Sequence, residues 1–246
     1  MVRVREHPLT WGLIAANVIS FLLVFSMPEG MRDSFILEWG FSGANAANPL
    51  VWFTSLFLHA GASHLFFNML GLFFFGKILE EEVRPAWFFA VYFISGLMGN
   101  FVFMFTSPSV VIGASGCVFG LMSAAMLVNP TKLVHFYIFP LPVGVVALTF
   151  ILVETFVIYF QPDFGQVAHY SHAAGLLTGS VFAFFYDTRK AFKGLFILAL
   201  SFALLLLFAP AIGLITWFGS VVLGFMDMAT GFFLYGLANL LSFIWI

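Results

Sequence analysis

Charge is the scarcest property of this chain. Only 8% of its 246 residues are Asp, Glu, Lys or Arg, whereas 62% are hydrophobic. A soluble domain of this length carries about 25% charged residues, so a water-facing surface is excluded and the chain reads as an all-α, polytopic membrane protein. Its formal net charge is −2. Without clustered Lys and Arg there is nothing to neutralise phosphates, and no nucleic-acid partner is expected. A single cysteine, Cys117, excludes an internal disulfide and, within an apolar run, reads as a small core residue. The chain also lacks the H-E-x-x-H signature of zinc peptidases. His59, His64, His169 and His172 fall near one side, but no Asp or Glu there completes a ligand set, so no metal is expected. The first apolar stretch has no small-residue cleavage site, which predicts a retained helix instead of a signal peptide.

What is present is a series of apolar runs. A hydrocarbon core about 30 Å thick needs roughly 20 apolar residues per helix. This places spans near residues 9–27, 63–79, 86–106, 115–129, 134–159, 169–186, 195–216 and 221–246. The first six form a predicted core over residues 1–187, and residues 194–246 read as about two appended C-terminal spans. A long first outer loop, residues 28–62, holds Trp39 and Trp52 and is expected to lie partly in the membrane interface.

Basic residues set the orientation. With the N-terminus inside, Arg3, Arg5, Lys77, Arg84, Lys132, Arg189, Lys190 and Lys193 are cytoplasmic and Arg32 alone is outside. Eight against one is a strong positive-inside bias. The expected location is a prokaryotic cell membrane, with an N-terminus in the cytoplasm. The second, fourth and sixth spans then start on the outer side, carrying His64, Ser115 and His172. The fourth span is short, about 22 Å of helix at a rise near 1.5 Å per residue. If Asn129-Pro130 marks its inner end, Ser115 is submerged, and the irregular backbone before it requires a protein-lined, wet pocket open to the outside.

That pocket brings chemistry within reach. Serine is a weak nucleophile until a base removes its proton, and His172 shares the depth of Ser115. Gly113 and Gly116 flank Ala114-Ser115 and permit a tight entry turn. Gly116, Gly120 and Ala124 repeat every fourth residue, as do Gly175, Gly179 and Ala183 on the sixth span. Such stripes allow close helix contact, which would draw Ser115 and His172 together, although they also serve ordinary packing. His64 and Asn68, four apart on one face, are donor types suited to an oxyanion and equally suited to bonding helices together. Glu154 is an intramembrane carboxylate near enough to its helix end to reach water, and Glu80-Glu81-Glu82 reads as a solvated helix end.

Three motifs in register resemble the rhomboid intramembrane serine proteases. They are His64-Leu65-Phe66-Phe67-Asn68, Gly113-Ala114-Ser115-Gly116 followed by Phe119-Gly120, and His172-Ala173-Ala174-Gly175 followed by Gly179. Thr54, His59, Gly76, Glu80 and Tyr92-Phe93-Ile94-Ser95-Gly96 match weaker family features, and the resemblance covers roughly residues 7–187. It implies that Ser115 is the nucleophile and His172 its general base, a dyad without an acidic third member. Phe119 would pack against that histidine, and His64, Asn68 and the Ser115 N–H would form the oxyanion hole. The implied reaction hydrolyses a peptide bond in or beside a transmembrane helix of a membrane-protein substrate through an acyl-enzyme, with no metal or cofactor.

Two departures from the family stand out. A Trp-Arg pair common before the threonine is replaced by Leu50-Val51, which puts the first loop's anchoring in question, and Arg84 replaces a glycine after Glu80. The competing reading is a non-catalytic rhomboid-like protein that binds membrane clients; retention of both Ser115 and His172 argues against it. A transporter would show a repeat of broken helices around a midplane site, and none is found.

Overall fold

The computed structural model describes residues 6–136, 139–160, 169–204, 206, 207 and 228. Two compact units divide the chain, Met1–Leu198 and Ala199–Ile246. In the second unit residues 199–204 are helical, and most of the expected seventh and eighth spans lies outside the described residues.

The first unit starts with α1 (Pro8–Phe25), whose proline stands where its missing N–H costs nothing. Its orphan N–H groups are capped from a distance. Glu80 accepts from Leu9 N and Thr10 N, both at 2.9 Å, and from Thr10 Oγ1 at 2.6 Å. The first loop is largely helical, with α2 (Glu29–Trp39) and α3 (Pro49–Thr54), the latter capped by Asn48 and opened by proline. It is well anchored despite lacking Trp-Arg. Val51 is fully buried with Phe41 and Phe103, Trp52 Nε1 donates to Ala46 O at 2.9 Å, and Thr54 Oγ1 donates to Trp39 O at 2.7 Å.

A single span then forms from α4 (Ala62–Gly71), a π-turn at Leu72–Gly76 and α5 (Lys77–Glu82). It is followed by α6 (Pro85–Thr106) and α7 (Ser115–Val128). The expected fifth helix from residue 134 is corrected by the structure. Leu133–Phe136 (β1) and Phe139–Pro142 (β2) pair antiparallel, with Leu133 opposite Pro142, and α8 begins only at Val143, running to Phe160. Pro140 and Pro142 lack the N–H groups a helix interior needs, and each biases its preceding residue toward extended backbone. The Glu154 side chain lies outside the described ones. The sixth span is α9 (His169–Tyr186).

Helices α1, α4–α5 and α6 are each long and apolar enough to cross a membrane, and α7 is a shorter apolar helix. Helix α7 is the axis of the bundle. Twelve of its fourteen residues are buried, against α6 and α9 above all. The periphery is apolar instead: Leu22, Leu23, Phe66, Phe67, Leu177 and Phe185 are exposed, as side chains facing lipid must be. The protein is an integral, multi-pass membrane protein with an all-α helical bundle.

The two ends of the bundle differ. At one end Glu81 pairs with Lys132 at 2.8 Å, and Glu82 accepts from Asn129 Nδ2 at 2.7 Å and Lys190 Nζ at 3.2 Å. Together with Glu80 at α1, these bonds correct the reading of this acidic run as a solvated helix end; each carboxylate ties α5 to another segment of the chain. The other end holds Ser115 with His59, His64, His169 and His172.

Candidate active site

The entry to α7 is a strained turn with one purpose. Gly113 has φ of 124°, a region unfavourable to residues with a Cβ, and a Cβ there would stand 2.8 Å from the Nε2 and Cε1 of His64. Only glycine lets the chain pass the imidazole and deliver Ser115 as the first residue of α7. The first N–H groups of a helix have no partner within it, so those of Ser115 and Gly116 belong to the donors that a helix start presents.

Helix α9 supplies the base position. His172 Nε2 lies 2.7 Å from Ser115 Oγ, and the imidazole stacks on Phe119 with ring centroids 4.5 Å apart and planes within 8°. Both side chains are half-buried at the mouth. This contact follows from glycine packing below it. A Cβ on Gly175 would overlap the carbonyl of Gly116, and one on Gly179 would overlap the carbonyl of Gly120. The two stripes therefore meet directly, backbone on backbone. Gly120 additionally faces Ser95 of α6, with no room for a side chain.

His64 and Asn68 approach the same turn from α4. Ala60 N donates to His64 Nδ1 at 3.4 Å, which makes Nδ1 the acceptor and leaves the neutral ring's proton on Nε2, facing Gly113. Asn68 Nδ2 donates to His64 O at 2.9 Å, so its amide is engaged within its own helix. His59 packs edge-on to His64, with centroids 5.1 Å apart, and is almost fully buried. Its Nδ1 donates to Phe57 O at 3.3 Å. Burial lowers its pKa to about 4, with the neighbouring His64 adding to the shift, so His59 is neutral.

Sequence reasoning missed a support behind this site. Asn100 of α6 donates from Nδ2 to Ser55 Oγ at 3.0 Å and to Trp52 O at 3.1 Å. Ser55 O in turn accepts from Gly113 N at 2.8 Å. Asn100 thus clamps the segment that holds the Gly113 turn. An amide in the middle of an otherwise apolar span was the available signal. Ser171, also missed, is buried between Gly99 and Gly116.

Among the described residues no group of three or more His, Cys, Asp or Glu is gathered for a metal. The arrangement can move a proton from a serine hydroxyl to an imidazole beside hydrogen-bond donors.

A sequence profile of the Rhomboid domain matches residues 46–189, a segment holding all of these side chains. The chain belongs to the rhomboid family. It is 35% identical over 124 residues to YdcA of Bacillus subtilis, covering 48% of this chain and 61% of that protein. RHOMBOID-like protein 1 of Arabidopsis thaliana is 30% identical over 148 residues, 58% of this chain and 36% of its own. Rhomboid protease GlpG of Serratia proteamaculans is 24% identical over 188 residues, 76% and 66% respectively. The matched segments thus span between 36% and 66% of these relatives' lengths. Rhomboid relatives occur in bacteria and plants alike, so family membership does not carry the expected prokaryotic setting.

Proposed function

We propose that this rhomboid-family chain is an intramembrane serine endopeptidase that hydrolyses peptide bonds in or beside the transmembrane helices of membrane-protein substrates. The observation that carries the reading is the 2.7 Å contact between His172 Nε2 and Ser115 Oγ, in a site half shielded from solvent. His172 takes the Ser115 proton as Oγ attacks the scissile carbonyl carbon, and the resulting oxyanion receives hydrogen bonds from His64 Nε2–H and the Ser115 N–H. The imidazolium then gives its proton to the departing amine, leaving an acyl-enzyme on Ser115. Water, deprotonated by His172, adds to the ester carbonyl; collapse releases the carboxyl product and returns the proton to Ser115. Asn68 joins the oxyanion donors by turning its amide away from His64 O. Phe119 holds the His172 ring flat, and Gly116, Gly120, Gly175 and Gly179 set the separation of the dyad's helices.

In this reading the N-terminus is cytoplasmic, the dyad opens to the outer side, and the lysine-rich end faces inward, in keeping with the charge bias. The test is cleavage of a fluorogenic transmembrane-helix substrate in proteoliposomes. Wild type cleaves, and Ser115→Ala does not. Substrate held equally by both proteins and cleaved by neither would instead support the client-binding reading.

A further inference from the structure

Far from Ser115, at the lysine-bearing end, α1, α5 and β1 border a cavity of about 250 Å³. Its polar wall is His7, Lys77, Glu81 and Lys132; Phe73 and Leu133 contribute to an apolar one. Glu81, the single carboxylate among the described residues of that wall, pairs with Lys132 at 2.8 Å and His7 Nε2 at 3.4 Å. Lys77 is different. Among the described residues no carboxylate pairs with it, and its ammonium rests over the Phe73 ring, 4.4 Å from the centroid. An aromatic face does not neutralise an ammonium as a carboxylate does, so the wall keeps a positive surplus.

The same charge pattern recurs next door. A cavity of about 350 Å³ has Glu82 paired with Lys190 at 3.2 Å and Lys193 as the second lysine. A cavity that is cationic on one side and apolar on the other, at the level where helices leave the bilayer, matches an amphiphile with an anionic head. Basic pockets between membrane helices hold anionic headgroups in this way. We propose that the cavity lined by Lys77 and Lys132 binds the phosphate of an anionic glycerophospholipid, with Phe73 and Leu133 flanking the start of an acyl chain. Lysine stems suit this place, lying along apolar surface while the ammonium meets the phosphate. Neither lysine belongs to the proposed peptidase chemistry, so the inference stands apart from it.

The test uses the full chain in nanodiscs of phosphatidylcholine with and without phosphatidylglycerol, reading lipid retention by native mass spectrometry and the thermal unfolding midpoint. Wild type should retain phosphatidylglycerol about fivefold over phosphatidylcholine, the effect of roughly one lysine at a membrane surface. Lys77→Gln should lose that preference while unfolding normally in pure phosphatidylcholine, and exposed Arg189→Gln should keep it. Should Lys77→Gln unfold, Lys77→Met retains the packing on Phe73 and serves in its place. Equal preference in wild type and the Lys77 variant, or no preference in wild type, overturns the site. Displacement of the lipid by millimolar inorganic phosphate alone would identify a free-anion site and overturn the lipid assignment.

Discussion

Gly179 of α9 lies so close to Gly120 of α7 that any side chain on it would overlap the Gly120 carbonyl. The separation of Ser115 from His172 is thus set one and two turns below them, by glycine on glycine. Gly179→Leu or Gly120→Leu should push the helices apart, costing about 1–3 kcal/mol in packing and most of the cleavage activity while both dyad residues remain. Cleavage assays paired with thermal unfolding check this; full activity in a folded Gly179→Leu protein would detach dyad geometry from the stripes.

Asn100 offers a subtler perturbation, because it touches neither Ser115 nor His172. Removing its amide frees the Trp52–Ser55 segment that anchors Gly113. Asn100→Ala should lower kcat on the order of tenfold with KM nearly unchanged, the signature of a misplaced oxyanion turn. Steady-state kinetics in proteoliposomes separates the two constants. A pure stability loss with unaltered kcat would make Asn100 a helix tie only.

His64 and Asn68 are predicted to be unequal. His64 directs a free Nε2–H at the turn, whereas Asn68 must first give up its bond to His64 O. His64→Ala should cost about 2.7–4 kcal/mol in transition-state stabilisation, and Asn68→Ala distinctly less, as measured by kcat/KM for one substrate.

His59 makes stability depend on acidity. Its pKa is lowered to about 4 in the fold against 6.5 unfolded, so between those values the unfolded chain binds the proton that the folded chain refuses. Stability from this residue is therefore full above pH 6.5 and falls as pH drops toward 4, by on the order of 3 kcal/mol in all. Thermal unfolding between pH 7 and 4 should show the loss, and His59→Gln should flatten it.

The spans were legible because lipid demands long apolar runs, and the bounds of α1, α6, α7 and α9 lie within a few residues of those read from composition. Contact between the fourth and sixth spans was legible too, since small residues at every fourth position on both allow their backbones to approach closely. The β1–β2 hairpin was misread as helix because its residues are as apolar as a span; Pro140 and Pro142 were the overlooked warning. Helix α2 escaped notice for another reason: its half-buried residues Arg32, Phe35, Ile36 and Trp39 recur at helical spacing, but at 11 residues it is too short to register as a span. The Asn100–Ser55 bond joins residues 45 apart. No local pattern encodes such a pair, because its cause is the tertiary packing of α6 on the first loop.

The central claim is that His172 activates Ser115, and it is tested most directly by labelling the purified protein with a fluorophosphonate probe. Wild type should be labelled at Ser115, Ser115→Ala not at all, and His172→Ala only at a rate near that of unactivated serine, with the double variant no worse than either single one. Labelling of Ser115→Ala equal to wild type, or an undiminished rate in His172→Ala, would contradict the account.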